Sequence, residues 1–94
     1  MIIAVDFDGT LYDGKQVNFA LINRLKAEQA RGNIIILWTC RERESLKRAI
    51  TLLLKSGFAP NFINQNAPQT IKKMGDTRKI FADVYIDDKA ANIR

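Results

Sequence analysis

Two pairs of aspartates follow short apolar runs in this chain of 94 residues, one pair near each end. Asp6 and Asp8 come after the opening run MIIAV, and Asp87 and Asp88 come after the run VYI. Four carboxylates gathered in one crevice repel one another strongly unless a cation lies between them. Because the chain contains no histidine and oxygen ligands select hard ions, the pattern favours Mg²⁺. A Mg²⁺ ion held by two or so carboxylates keeps positions for water and a substrate phosphate, so the sequence indicates phosphoryl transfer, with an aspartate able to act as nucleophile.

The apolar runs that precede these acids predict strands. Residues 1–5, 34–38 and 84–86 are continuous apolar segments, which is typical of strands buried on both faces. A further short strand is expected near residues 62–64.

Helices are predicted between the strands. Asn18 can cap a helix that stops at Gly32, and Pro68 can open one that runs to Met74. Between them, apolar residues recur at helical spacing and Gly57 follows the last of them. These apolar residues are Leu46, Ala49, Ile50, Leu53 and Leu54.

The alternation of strands and helices predicts an α/β fold, a single Rossmann-like domain over residues 1–94. The expected sheet is parallel, with about four strands in the order fourth-first-second-third and with helices on both faces. In such sheets the carboxyl ends of the strands lie along one edge, where ligands bind. Thr39, which follows the second strand, would then join the two aspartate pairs in one crevice.

These residues carry a resemblance to a known family. The segment DFDGTL at residues 6–11 resembles the first motif, DxDGT, of the haloacid dehalogenase (HAD) superfamily. Thr39 resembles the second motif and Asp87–Asp88 the fourth, and Lys79 is the best match to the lysine of the third. The segments LWTCRE and KIFADVYIDDKA are also similar to a group of small HAD proteins without a cap domain. The resemblance implies a HAD-like fold and a phosphatase of the hydrolase class.

The resemblance also implies roles for the acids. Asp6 would attack phosphorus, with its carboxylate held in line by the metal. Asp8 would protonate the leaving oxygen and then activate water, while its backbone carbonyl binds the metal. Asp88 is expected to touch Mg²⁺ directly and Asp87 to act through a water molecule.

The remaining motif residues are implied to bind phosphate. Thr39 and the amide of Cys40 would hold phosphate oxygens, and Lys79 would neutralise charge on the transferred group. Gly9 and Thr10, which close the first motif, belong to the same phosphate-binding set.

Two of these assignments have alternatives in the sequence. Asp and Gly after a strand are also common turn residues, so the segment DFDG alone could be a loop. Lys72, Lys73 or Lys55 could take the place of Lys79, which could equally be a solvated surface lysine.

Residues beside the motifs also admit other interpretations. Arg41 and Arg43 either bind substrate phosphate bidentately or pair with neighbouring acids. Cys40 is expected to be a small packed residue, since no histidine is available to activate its thiol. Trp38 and Tyr85 are expected in the core rather than on a surface where a substrate stacks.

Composition limits the class of protein. Hydrophobic residues make up 47% of the chain and charged residues 27%, which is typical of a globular domain. No apolar run is long enough to span a bilayer, no signal peptide is recognisable, and a single cysteine suits a reducing compartment, so we expect a cytoplasmic protein without a membrane partner. A net charge of +5 favours anionic partners, nucleic acid among them, although ordinary solubility explains it as well.

The lengths of the connections bear on substrate and assembly. They leave no room for a cap domain, so the open crevice could accept a phosphorylated small molecule or a macromolecule. The fourth strand is expected at an exposed edge of the sheet, which favours a homodimer.

Two other functions compete with a phosphatase. A phospho-acceptor domain of the receiver type also clusters acids, Thr and Lys around Mg²⁺, but it carries its acceptor after the third strand, where this chain has Asn64–Gln65–Asn66. A non-catalytic module that binds phosphorylated partners would keep the same residues without turnover.

Overall fold

The computed structural model describes residues 1–75, 80–87 and 91–92. These residues form five strands and three helices, which alternate along the chain except that the last two elements are both strands. The strands are β1 (Ile2–Val5), β2 (Ile34–Leu37), β3 (Phe62–Ile63), β4 (Val84–Ile86) and β5 (Ala91–Asn92). The helices are α1 (Phe19–Ala30), α2 (Arg43–Lys55) and α3 (Pro68–Met74).

The strands form one sheet in the order β3-β2-β1-β4-β5. β1 pairs in parallel with both β2 and β4, and β2 pairs in parallel with β3. This confirms the predicted α/β fold, with its parallel sheet and its order of four strands. Because β1 is central, the residues that follow it lie between those that follow β2 and those that follow β4.

The expectation that β4 is an exposed edge is wrong. β5 pairs with it in antiparallel fashion, with Tyr85 opposite Asn92 and Ile86 opposite Ala91. Two residues near the end of the chain are enough to pair with two of the three residues of β4, because a ladder needs only backbone groups. The expected homodimer, which was inferred from an open β4 edge, therefore loses that argument.

The two faces of the sheet bury two separate clusters. On one face, Val5 and Leu37 pack in a cluster with buried residues of α1 and α2. On the other, Ala4 and Ile36 pack with Ala67, which directly precedes α3. Residues of the same strand alternate between the clusters, as the period of two requires. Helices therefore flank both faces, as predicted.

The helices begin and end close to the predicted positions. The Asn18 side chain accepts a hydrogen bond from the Leu21 amide at 3.1 Å and caps α1. In α2, Ala49 and Leu53 are buried, but Leu54 is 56% exposed. The predicted apolar face of α2 is therefore narrower than the sequence pattern indicated. Within the described residues, no helix combines the length and apolar character needed to cross a membrane.

Candidate functional site

Asp6 and Asp87 lie at the ends of adjacent strands. Val5 is in register with Ile86, and the Asp6 amide donates to the Ile86 carbonyl at 2.9 Å. Asp6 directly follows β1 and Asp87 directly follows β4. The backbones of the two aspartates therefore lie side by side at the carboxyl edge of the sheet. Asp6 is half-buried and accepts a hydrogen bond from the Phe7 amide at 2.8 Å through Oδ1, whereas Asp87 is exposed. The sheet thus brings together one acid from each end of the chain.

The loop after Asp6 is held by its own backbone. The Phe7 carbonyl accepts hydrogen bonds from the amides of Thr10, Leu11 and Tyr12 at 3.0–3.2 Å. Gly9 has a φ of 80° and donates its amide to the Tyr12 carbonyl at 2.8 Å. Gly9 and Thr10 were predicted to bind phosphate, and their amides are engaged inside the loop. Thr10 Oγ1 is buried and has no hydrogen-bond partner among the residues described.

Asp8 forms a bidentate ion pair with Arg41. Arg41 Nη2 donates to Asp8 Oδ1 at 2.7 Å, and Arg41 Nε donates to Asp8 Oδ2 at 2.9 Å. The hydrogen bonds from the guanidinium lower the pKa of the Asp8 carboxyl below its ordinary value, and the same contact raises the pKa of Arg41. The Asp8 side chain is 56% exposed. Arg41 was expected either to bind substrate phosphate or to pair with an acid, and in the structure it pairs with Asp8.

Further contacts orient the guanidinium of Arg41. Its Cζ atom lies 4.8 Å from the centroid of the buried Phe7 ring, a cation–π arrangement. Its Nη1 atom donates to the Ser45 carbonyl in α2 at 3.3 Å. Arg43 begins α2 with its side chain exposed. Arg41 thus connects the loop after β1 to the start of α2.

Thr39 is buried, and the Asn64 side chain holds its backbone. Asn64 was not predicted to belong to the site. The Asn64 side chain accepts from the Thr39 amide at 2.8 Å and donates to the Thr39 carbonyl at 2.9 Å. Asn64 follows β3 with a φ of 52°, a conformation that asparagine tolerates better than most residues. Asn directly after a short apolar strand was the signal that could have identified it.

The hydroxyl of Thr39 accepts a hydrogen bond from the Arg41 amide at 3.2 Å. A hydroxyl that accepts one hydrogen bond still has a proton to donate. Within the described part of the chain, no hydrogen bond uses the Cys40 amide. The Thr39 hydroxyl proton and the Cys40 amide are thus donors that no hydrogen bond among the described residues uses.

Two predictions about side-chain burial at this edge are wrong. Cys40 is exposed with a free thiol instead of packed, because the chain has left the sheet at this point. Trp38 is 41% exposed, although it follows a fully buried strand segment directly. Tyr85 is half-buried against the second cluster, so its assignment to the core is correct in part.

Lys79 and Asp88 lie outside the described residues, so the structure has no bearing on their predicted roles. Lys55 ends α2, about 18 Å along the helix axis from the end that follows Thr39. This distance removes Lys55 as an alternative to Lys79. Lys72 and Lys73 lie exposed in the last turn of α3.

The acids at this edge can be compared with the needs of a hard cation. No three side chains of His, Cys, Asp or Glu form a metal-binding group within the residues that the structure describes. Mg²⁺ commonly takes only one or two carboxylates and fills its other positions with water and substrate phosphate. Asp6 and Asp87, which lie next to each other at this edge, match that requirement in number and in ligand type. The Asp8 side chain forms an ion pair with Arg41.

Comparison with known proteins supplies one relative. No protein-family model and no curated protein matches the chain. A solved structure of a conserved protein from Bacteroides thetaiotaomicron is 35% identical, with a TM-score of 0.76. The match covers 96% of this chain and 77% of the bacterial one. This chain therefore belongs to the same protein family as that conserved Bacteroides protein.

Proposed function

We propose that this chain is a Mg²⁺-dependent phosphohydrolase of the HAD type, in which Asp6 is the nucleophile. The observation that supports the proposal most is the pairing of β1 with β4, which sets Asp6 beside Asp87 at the carboxyl edge. Thr39 follows the other neighbour of β1 at the same edge. Ligands of parallel α/β sheets bind at this edge.

The proposed reaction has two steps. In the first, a carboxylate oxygen of Asp6 forms a bond to phosphorus as the ester bond breaks, and the leaving oxygen takes a proton from Asp8. In the second, Asp8 accepts a proton from water as the water oxygen bonds to phosphorus and the Asp6–phosphorus bond breaks. Inorganic phosphate is released and Asp6 is regenerated.

The ion pair with Arg41 bears on the first step. It stabilises the ionised form of Asp8, whereas proton donation needs the protonated form. Asp8 must therefore leave Arg41 before it donates. Its exposure at the rim of the site makes this movement sterically simple.

The substrate phosphate would be held beside Asp6. The Thr39 hydroxyl proton and the Cys40 amide are donors that phosphate oxygens can use. Asp6, Asp88 and the backbone carbonyl of Asp8 would hold Mg²⁺ directly, and Asp87 would hold it through a water molecule. The cation would neutralise the phosphate charge that otherwise repels the attacking carboxylate.

The substrate and setting of the reaction follow from the same features. No cap covers the crevice in the described residues, so a phosphorylated small molecule and a macromolecular phosphate both fit. Lys79 completes the phosphate-binding set that the family resemblance implies. A cytoplasmic location suits a chain with a single, free cysteine.

Asp6→Asn tests the proposal, with hydrolysis of a generic aryl phosphate in Mg²⁺ and in EDTA as the measurement. We expect wild-type activity to need Mg²⁺ and Asp6→Asn to reduce it to background. Asp13→Asn is the matched control, because Asp13 is exposed and an amide oxygen can still accept from the Lys15 and Gln16 amides. Activity retained by a folded Asp6→Asn variant would refute the assignment.

A non-catalytic phosphate-binding module is the second candidate. The observation in its favour is that Arg41 occupies both carboxylate oxygens of Asp8, the proposed proton donor. Such a module would bind inorganic phosphate in calorimetry and show no turnover of any phosphoester at high protein concentration. Mg²⁺-dependent turnover that Asp6→Asn removes would exclude it.

A further inference from the structure

Trp38 lies directly beside the proposed nucleophile. Val5 is in register with Leu37, and the Trp38 amide donates to the Val5 carbonyl at 2.9 Å, which extends the ladder by one residue. The residue of β1 next in line is Asp6. Asp6 therefore has Trp38 on one side and Asp87 on the other. The backbones of adjacent strands are about 4.8 Å apart, so the backbones of Asp6 and Trp38 are neighbours at this edge.

Both side chains belong to the same face of the sheet. Ala4 and Ile36 pack in the second cluster, and side chains two residues apart on a strand share a face. Asp6 lies two residues after Ala4, and Trp38 lies two residues after Ile36. Both side chains are therefore expected on the same face as the second cluster, at the carboxyl edge of the sheet. An aromatic group attached to a phosphate at Asp6 would meet the indole on this face.

The indole of Trp38 is exposed and packs against the ring of Tyr85. Trp38 is 41% exposed, while its ring centroid lies 6.0 Å from that of Tyr85 at an interplanar angle of 67°. The Tyr85 hydroxyl donates to the Ile80 carbonyl at 2.6 Å and accepts from the Ala82 amide at 3.1 Å. Two hydrogen bonds thus fix the Tyr85 hydroxyl, and the backbone of Tyr85 lies in β4. The Tyr85 ring packs against one side of Trp38 and leaves the other side exposed. An aromatic ring that is packed on one side and open to solvent on the other is suited to stacking.

We propose that Trp38 is a stacking subsite for a planar aromatic group linked to the substrate phosphate, and that a nucleobase is the group it takes. This inference rests on the proposed function for the place of the phosphate. The net charge of +5 also favours an anionic ligand such as a nucleotide. The shared chemistry is a nucleobase with a terminal phosphate, whether on a free nucleotide or on the end of a nucleic acid.

Fluorescence provides a direct test, because Trp38 is the only tryptophan in the chain. Adenosine 5′-monophosphate and ribose 5-phosphate are titrated with Mg²⁺ into the wild-type protein and into Asp6→Asn, with excitation where adenine does not absorb. We expect the nucleotide to quench Trp38 and ribose 5-phosphate to leave its emission nearly unchanged. Equal responses to the two ligands would overturn the proposal.

Calorimetry on Trp38 variants measures the contribution of stacking. Stacking of one base predicts an affinity for the nucleotide about 5- to 150-fold higher than for ribose 5-phosphate. Trp38→Leu should remove this preference and keep the affinity for ribose 5-phosphate, which also shows that the variant is folded. Trp38→Phe should retain part of the preference. A preference unchanged in Trp38→Leu would contradict the assignment.

Two further comparisons separate the outcomes. A nucleotide preference that depends on Trp38 in a protein without turnover would support the subsite and refute the phosphohydrolase. Mg²⁺-dependent turnover without a nucleotide preference would support the phosphohydrolase and refute the stacking subsite. A 5′-phosphorylated oligonucleotide that binds more tightly than the mononucleotide, with a steep loss of affinity in salt, would identify a nucleic-acid end as the source. Equal binding would identify the free nucleotide.

Discussion

Asn64→Ala should destabilise the protein by loosening the end of β2. The Asn64 side chain makes hydrogen bonds with both backbone groups of Thr39, at 2.8 and 2.9 Å. Alanine cannot make either bond. It must also adopt the left-handed φ of 52° that asparagine tolerates. The substitution therefore combines two lost hydrogen bonds with backbone strain.

The magnitude follows from these two contributions. A hydrogen bond contributes about 0.5–1.5 kcal/mol of net stability. Asn64 is exposed, so water can replace part of each bond, and the two together should contribute about 1–2 kcal/mol. The left-handed conformation costs alanine about 1 kcal/mol. The free energy of unfolding should thus fall by about 2–3 kcal/mol.

Asn64→Gly separates the two contributions, because glycine loses the same hydrogen bonds but adopts a positive φ without strain. Urea unfolding followed by circular dichroism should find the glycine variant about 1 kcal/mol more stable than the alanine variant. Gln65→Ala is the control, since this exposed neighbour should change stability by less than about 0.5 kcal/mol. Asn64→Ala should also lower the proposed phosphatase activity, because Thr39 would no longer be held in place.

Two results would refute this reasoning. If Asn64→Ala unfolds within about 0.5 kcal/mol of the wild type, the contacts with Thr39 do not stabilise the strand end. If alanine at this position is as stable as glycine, the backbone is not strained.

Two other substitutions test the core and the ion pair. Leu53→Ala should lower the free energy of unfolding by about 2–5 kcal/mol, because Leu53 is fully buried. Leu54→Ala is the control, since this exposed residue should change the free energy of unfolding by less than about 0.5 kcal/mol. Urea unfolding measures both variants. Arg41→Ala should cost less than about 1 kcal/mol at neutral pH, because the pair with Asp8 is partly exposed. Since the pair lowers the pKa of Asp8, its stabilisation is present at neutral pH and is lost as the pH falls through the folded-state pKa, below the ordinary value of 3.8. Arg41→Ala also removes the contacts of Arg41 with Phe7 and the Ser45 carbonyl, which do not titrate, so only the part of the stability difference due to the ion pair should disappear in acid. A stability difference of the same size at neutral pH and in acid would contradict this account.

The order of the four parallel strands could be predicted because their signals are local. Residues 1–5 and 34–38 are continuous apolar runs, and a buried parallel strand needs no other feature to be recognised. Right-handed crossovers then restrict how such strands are connected. The position of Asp6 and Thr39 at one edge follows from the topology alone. No side-chain contact had to be known.

The contacts of the site could not be predicted in the same way. Arg41 had two equally good partners in the sequence, phosphate or an acid, and the choice of Asp8 depends on how the loop after β1 turns toward α2. Asn64 acts through a backbone conformation, which periodicity does not reveal. Trp38 is apolar and follows an apolar run, so only the structure shows that its side chain is exposed.

Arg41 and Asn64 connect the carboxyl ends of three strands in series. Asn64, after β3, holds both backbone groups of Thr39, after β2. The Thr39 hydroxyl accepts from the Arg41 amide, and the Arg41 side chain holds Asp8, in the loop after β1. Each bond alone is weak and partly exposed, but a series of them limits how each loop can move relative to the next. While the ion pair between Asp8 and Arg41 is formed, two polar side chains outside the acid motifs therefore set the distance between Asp8 and the Thr39 hydroxyl, and release of Asp8 from Arg41 frees the proposed proton donor alone.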